Sequence, residues 1–378
     1  MRLLRCLIAS LLLVWLAACG PASESGPTIT PRPPEASPTP IDMSGRIAYV
    51  TRDRAAIRTI MPDGSDDRLL TTIVTATGQL FSGLSASPDG QFIAYAVRGA
   101  AGGSTMTILR RDGSPQRVYG ATGAPVWSAD GTHFVAPIIE TETPTYLNVV
   151  YPTGSDETVT PLARFEGNQS AWFPDGKRLV YVRDNGIYAF DLATSSSQTL
   201  AAPLLGVQQD WLVENIYVQP DGERIWVYAG NFNSPGADGM RWWTLPAAGG
   251  ELEPLLERKF DHIWTLGFAP SGPALAYVEG KTGDTCENPQ ADTLYLSADS
   301  AAKQPALQAA PKPADGPHEI FGVTWESSAR RLAFAAQPYN CNALRRMSFP
   351  DASIYVWPID GSQPPARIAA GAYPTWIR

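Results

Sequence analysis

Three histidines occur in 378 residues, and two of them stand beside a carboxylate, in Asp261-His262 and His318-Glu319. A third stretch, Asp210-Trp211-Leu212-Val213-Glu214-Asn215, carries two more acids close together. An imidazole beside a carboxylate can ligate a metal or move a proton as an acid–base pair. Carboxylates about 5–10 Å apart can hydrolyse a glycosidic bond. The same residue types also end connecting loops simply because loops are wet. Residue type alone leaves these readings open. Other chemistries leave no trace: there is no Gly-x-Ser-x-Gly elbow, phosphate loop or dinucleotide fingerprint. The four cysteines form no C-x-x-C pair, against a zinc ribbon or thioredoxin motif. No catalytic residue, metal ligand or cofactor is therefore assigned. With 29 Lys+Arg against 37 Asp+Glu the net charge is −8, which argues against nucleic acid as a partner.

The elements that must position these residues follow from a repeat. Ser87-Pro88-Asp89-Gly90, Ser128-Ala129-Asp130-Gly131, Phe173-Pro174-Asp175-Gly176, Gln219-Pro220-Asp221-Gly222 and Ala269-Pro270-Ser271-Gly272 recur along the chain, with a degenerate copy at Trp325-Glu326-Ser327-Ser328-Ala329. Each precedes a short apolar run such as Phe92–Tyr95, Leu179–Val182 or Ile225–Tyr228. Pro sets φ at the start of such a turn, Asp bonds its own backbone, and Gly accepts positive φ. The pattern is a β-hairpin, and a second hairpin follows in every unit. Several of those turn at Asp63-Gly64-Ser65, Asp112-Gly113-Ser114 or Asp360-Gly361-Ser362. Four strands about every 45 residues predict a β-propeller blade. The run Arg46–Val50 should follow a turn, and Pro374–Arg378 should precede one, so the two ends supply complementary parts of one blade. The expected fold is all-β: a seven-bladed β-propeller of four-stranded antiparallel blades over 46–378, closed by pairing of its N- and C-terminal strands.

In a blade with strands A to D, the B–C loops and the crossings to the next blade share one face. The A–B and C–D turns share the other. The turn aspartates therefore read as structural, and Trp127, Trp172, Trp325 and Trp376 as packing between blades. Asp210, Glu214, Asp261, His262, His318 and Glu319 fall on the loop face, around the mouth of the channel. Aligned on the strand that follows, His262 matches Glu319 and Asp261 matches His318. The longest B–C loops, Gly230–Gly239, Gly280–Asp292 and Gln337–Asp351, belong to consecutive blades on that face. Phe232, Trp242 and Tyr339, in or beside these loops, are candidate aromatic contacts, although strand alternation buries either Trp242 or Trp243 whatever the function.

The blade motif resembles the repeats of TolB-like β-propellers, where W-S-P-D-G-x-x-I-A-Y marks the first hairpin of each blade; the units are also similar to WD repeats. TolB itself has six blades and a preceding α/β domain, which this sequence does not match. At the N-terminus, Arg2 and Arg5 precede an apolar run and Leu16-Ala17-Ala18-Cys19. A basic start, a short apolar core and small residues make a secretory signal over 1–18. Leu16–Cys19 resembles the lipobox of bacterial lipoproteins, which implies lipidation of Cys19. Residues 19–45, rich in proline, read as a disordered tether. With Cys6 removed and Cys19 lipidated, Cys286 and Cys341 remain in an oxidising compartment and are expected to form a disulfide. The expected protein is an exported monomer, lipid-anchored to the cell or outer membrane and facing outside the cytoplasm. Its expected role is a scaffold for an envelope protein or glycan; a propeller glycoside hydrolase or lyase is the alternative.

Overall fold

Each Asp-Gly turn uses its residues as their chemistry dictates. Asp89 Oδ1 accepts from Ser87 Oγ at 2.5 Å and from Gln91 N at 3.1 Å, and Asp130 Oδ1 from Ser128 Oγ at 2.6 Å and Thr132 N at 3.0 Å. Burial alone would raise the Asp130 pKa, but these hydrogen bonds outweigh it and hold the carboxyl below its ordinary value. Gly131 has φ +72°, and a Cβ there would come within 2.8 Å of the Asp89 carboxyl carbon in the preceding blade. Neighbouring turns thus stack on each other around the ring. The turn aspartates are occupied with this work.

The computed structural model describes residues 44–73, 79–99, 103–140, 145–154, 160–202, 211–231, 241–254, 262–270, 272, 274–280, 293–297, 307–309, 318–338 and 351–378. All lie in one compact unit, Ile41–Arg378. The described strands, numbered β1–β28 in chain order, form seven four-stranded antiparallel sheets. Blade 1 comprises β28 (Ala372–Trp376), β1 (Ile47–Val50), β2 (Ala56–Ile60) and β3 (Arg68–Thr72). Blades 2 to 7 each run in simple sequence order and begin, innermost, with β4 (Gln79–Ala86), β8 (Val126–Trp127), β12 (Gln169–Trp172), β16 (Trp211–Val218), β20 (His262–Phe268) and β24 (His318–Trp325). The ring closes as the sequence predicts: Ile47 pairs with Trp376, Ala48 with Thr375 and Val50 with Ala372.

The core is not one cluster but seven, one between each pair of neighbouring blades. Strand alternation explains this, because successive side chains point to opposite faces of a sheet and both faces are covered. Along β25 (Arg331–Pro338), Leu332, Phe334 and Ala336 pack toward blade 6, while Ala333 and Ala335 pack toward blade 1. The tryptophans that end the inner strands stitch the interfaces. Trp127 Nε1 donates to Ser85 Oγ (3.0 Å), Trp172 Nε1 to Val126 O (2.9 Å) and Trp325 Nε1 to Gly267 O (2.8 Å), each reaching the preceding blade. They act in packing, as read from their positions.

The N-terminal entry to the ring is held on the turn face. Arg111, in the C–D turn of blade 2, donates from Nη2 to Ser44 Oγ at 2.8 Å, and Gly45 N donates to Ile377 O at 2.9 Å. Arg46 is buried under blade 1, where it donates to Thr59 Oγ at 3.2 Å and pairs with Asp66 at 2.8 Å.

Candidate functional site

The inner strands start on the loop face, so their first residues surround the channel mouth. Cross-strand register puts four of them on one rung. Leu80 pairs with Arg98, Leu212 with Gly230, His262 with Gly280 and Glu319 with Gln337. Each partner lies five residues beyond the first buried apolar residue of its strand: Ile93, Ile225, Leu275 and Leu332. His318 sits one rung above Glu319, opposite Pro338. For His262 and His318 only the backbone positions are described. Asp210, Asp261, Phe232 and Tyr339 lie outside the described residues, as do Cys19, Cys286 and Cys341.

The rung residues differ sharply in environment. Leu80 is 61% exposed and Leu212 37%, whereas Glu319 is 4% exposed. Gln337 Nε2, itself buried, donates to Glu319 Oε2 at 3.2 Å. Burial pushes the Glu319 carboxyl above its ordinary value, and the Gln337 bond only partly opposes this. Glu214 is exposed on blade 5, two blades from Glu319. Burial raises the Tyr217 phenol to about 12, with the charge of Glu214 adding to it. Among the described residues no three His, Cys, Asp or Glu side chains gather as metal ligands would.

Trp242 is 3% exposed and packs against Tyr228 at 5.1 Å and Trp226 at 5.8 Å, between blades 5 and 6. Trp243 turns to the other face of the sheet, packs toward blade 4, and donates from Nε1 to Ala229 O at 3.1 Å. Alternation therefore commits Trp242 to interblade packing, and it does not serve as the surface contact expected of it.

Sequence reasoning missed the irregularities of the inner strands. One extra residue interrupts the register at Ser82 in β4, Glu214 in β16 and Trp264 in β20, and again between Phe321 and Thr324 in β24 and within β28. These five bulges occupy blades 5, 6, 7, 1 and 2; the inner segment of blade 3 is displaced as well, since Val126 pairs with Val135 while Thr122 N bonds Pro137 O two residues out of that register, and β12 alone pairs regularly throughout. A bulge breaks the ladder and re-aims the side chains beside it, which is why bulges gather at functional rims. In blades 7 and 1 the bulge holds Gly322 (φ +63°) and Tyr373 (φ +53°), and a Cβ on Gly322 would touch Pro374 Cδ at 3.4 Å. Tyr373 is a bulky residue in the left-handed region, a conformation that costs on the order of 1–2 kcal/mol. The buried Ser82 Oγ has no hydrogen-bond partner among the described residues. A glycine inside an apolar strand, as at Gly322, was the one available signal.

Comparison with solved structures establishes the propeller fold. The chain is similar to a prolyl endopeptidase, with a TM-score of 0.56 and 13% identity over 87% of this chain and 49% of that one. It therefore spans about half the length of that enzyme. It is also similar to the β-propeller domain of the Trilobed protease from Pyrococcus furiosus, with a TM-score of 0.51 and 12% identity over 79% of this chain and 85% of that one. TolB from Acinetobacter baumannii aligns with a TM-score of 0.47 and 13% identity over 85% and 78% of the two chains. No protein-family model matches the sequence, and no curated protein matches it. At these identities the likeness speaks for fold alone.

Proposed function

We propose that this chain is an exported, lipid-anchored propeller that binds an envelope protein or glycan on its loop face. The observation that carries the reading is the run of irregular inner strands around the mouth, from which blade 4 alone departs. Regular strands would suffice to build a ring, whereas bulges on consecutive blades concentrate irregular backbone where a ligand would meet it. The long connections after β17 (Arg224–Asn231), β21 (Leu275–Gly280) and β25 belong to the consecutive blades 5, 6 and 7. A disulfide between Cys286 and Cys341 would pin two of them.

Anchoring fits this geometry. Ser44 is held on the turn face, so a tether from Cys19 would join the propeller on that side and leave the loop face unobstructed by the junction. Replacing Cys19 with Ala should move the protein from the membrane fraction to the soluble one; unchanged fractionation would refute the anchor. For the binding face, a photo-crosslinking amino acid at Glu214 on the loop face should capture an envelope component, and one at Asp175 on the turn face should not. Capture from Asp175 alone would refute the assignment.

A further inference from the structure

Asn168 carries an exposed side chain that the fold does not use. It lies in the two-residue crossing Gly167-Asn168 between β11 (Ala163–Glu166) and β12 (Gln169–Trp172), which takes the chain from blade 3 to blade 4 on the loop face. The backbone around it is held. Gly167 N donates to Tyr146 O at 2.9 Å and Asn168 N to Val182 O at 3.0 Å. The buried Asn148 donates from Nδ2 to Gly167 O at 3.0 Å and accepts from Ser170 Oγ at 3.2 Å. The Asn168 carboxamide, by contrast, makes no hydrogen bond among the described residues. The shape of the crossing accounts for its glycine only. A Cβ on Gly167 would come within 2.8 Å of Tyr181 Cδ2 and Val182 O, and one on Gly371 would meet Tyr49 Cδ2 and Val50 O at 2.5 Å in the same way. The residue after Gly371 is the buried Ala372, whereas the residue after Gly167 is an exposed asparagine.

Asn168-Gln169-Ser170 is an Asn-x-Ser acceptor sequence, and none of the other eight asparagines is followed two residues later by Ser or Thr. Such a sequence marks an N-glycosylation site when it stands on the surface of an exported chain, and Asn168 meets the surface condition. Glu166, two residues upstream and exposed, offers a carboxylate for a basic groove of the modifying enzyme to bind. We propose that Asn168 is the acceptor of an N-linked glycan. The co-substrate is an oligosaccharide carried on a polyprenyl diphosphate, and the enzyme is an oligosaccharyltransferase. Asn168 Nδ2 attacks the anomeric carbon of the first sugar. The bond from that carbon to the diphosphate oxygen breaks, the polyprenyl diphosphate leaves, and Nδ2 gives one proton to a base of the enzyme. Transfer precedes folding, because in the folded chain Ser170 Oγ is bonded to Asn148 and Gln169 is paired with Val182. A chain exported unfolded presents the segment freely, and Asn168 stays exposed once blade 4 has closed. The site stands between blades 3 and 4, outside the run of long connections in blades 5, 6 and 7. The inference rests on the exported reading of the chain and is independent of what the loop face binds.

The test takes the full-length protein from the membranes of the cells that make it. Trypsin releases Phe165–Lys177, in which Asn168 is the only asparagine. Mass spectrometry should find a sugar increment on this peptide, and fragmentation should place it on Asn168. Asn168→Gln and Ser170→Ala should remove the increment, whereas Ser170→Thr, which keeps the hydroxyl, should retain it. Asn168→Gln changes an exposed side chain without partners, so it leaves the fold intact and covers the case in which Ser170→Ala does not. Glu166→Gln should lower occupancy about fivefold, the loss of one charge-assisted contact. A bare Phe165–Lys177 in membrane-located protein would overturn the site and leave the exported reading standing, as would an increment that survives Asn168→Gln. Protein found in the cytosol with residues 1–18 intact would overturn both.

Discussion

At the scale of the residue, Glu319 and Ala329 show opposite departures from what their surroundings favour. Glu319 is a carboxyl between blades 7 and 1 with one amide as its hydrogen-bond donor, so its charged form is disfavoured and its folded-state pKa is raised. A raised carboxyl contributes stability that is lost as pH rises through the folded-state pKa. Glu319→Gln should therefore melt with the wild type below about pH 4 and above it at pH 7–8. Equal melting at both values would mean the carboxyl finds compensation on folding. Ala329 occupies the turn position held elsewhere by glycine and has φ +55°. Ala329→Gly should stabilise the protein by about 0.5–1 kcal/mol, read as a rise of about 1 °C in Tm for a propeller of this size or, more clearly, as a higher denaturant midpoint. The degenerate turn could be aligned from the sequence, but its left-handed backbone follows from register with the other blades.

At the scale of the element, the interfaces between blades are the units of stability. Trp325 ends β24 and crosses to Gly267 O in blade 6, within the cluster formed by Val278, Leu294, Phe334 and Trp357. Trp325→Phe should cost about 1–3 kcal/mol through the lost hydrogen bond and the partly emptied site, visible in denaturant unfolding. Substituting Arg164, near the outer edge of blade 3, should cost less than about 0.5 kcal/mol. The hairpins were legible because turn chemistry is local, and the predicted run Leu179–Val182 lies within the observed strand Arg178–Arg183. The bulges were not legible, because an extra residue in a strand leaves composition and alternation nearly unchanged. Only pairing with the neighbouring strand reveals that Ser82 or Glu214 has no opposite number.

At the scale of the whole molecule, closure depends on one short strand. β28 supplies the inner edge of blade 1, and its Trp376 and the following Ile377 enter the clusters on either side of that blade. Arg331, paired with Glu326, lies over the Trp376 ring at 5.3 Å. Removing residues 373–378 should expose the edge of β1 and both flanking interfaces. The expected result is aggregation in light scattering and a lower Tm; a monomeric truncation with unchanged melting would show that closure contributes little.

The sequence by itself determined the fold class, the blade count, the faces on which turns and loops lie, and the way the ends meet. Each follows from short-range rules: turn residues at a set spacing, apolar runs of strand length, and the alternation of faces from hairpin to hairpin. Burial at the mouth was decided only by tertiary structure. Leu80, Leu212 and Glu319 share a rung, yet the leucines are exposed and the acid is buried, because exposure depends on what neighbouring blades place over each position. Trp242 shows the same limit, since alternation predicts that one of two adjacent tryptophans turns inward but not which blade receives it. The unequal lengths of strand B, four residues past the first buried position in blade 4 and six in blades 3 and 5, also emerge only when the blades are set side by side.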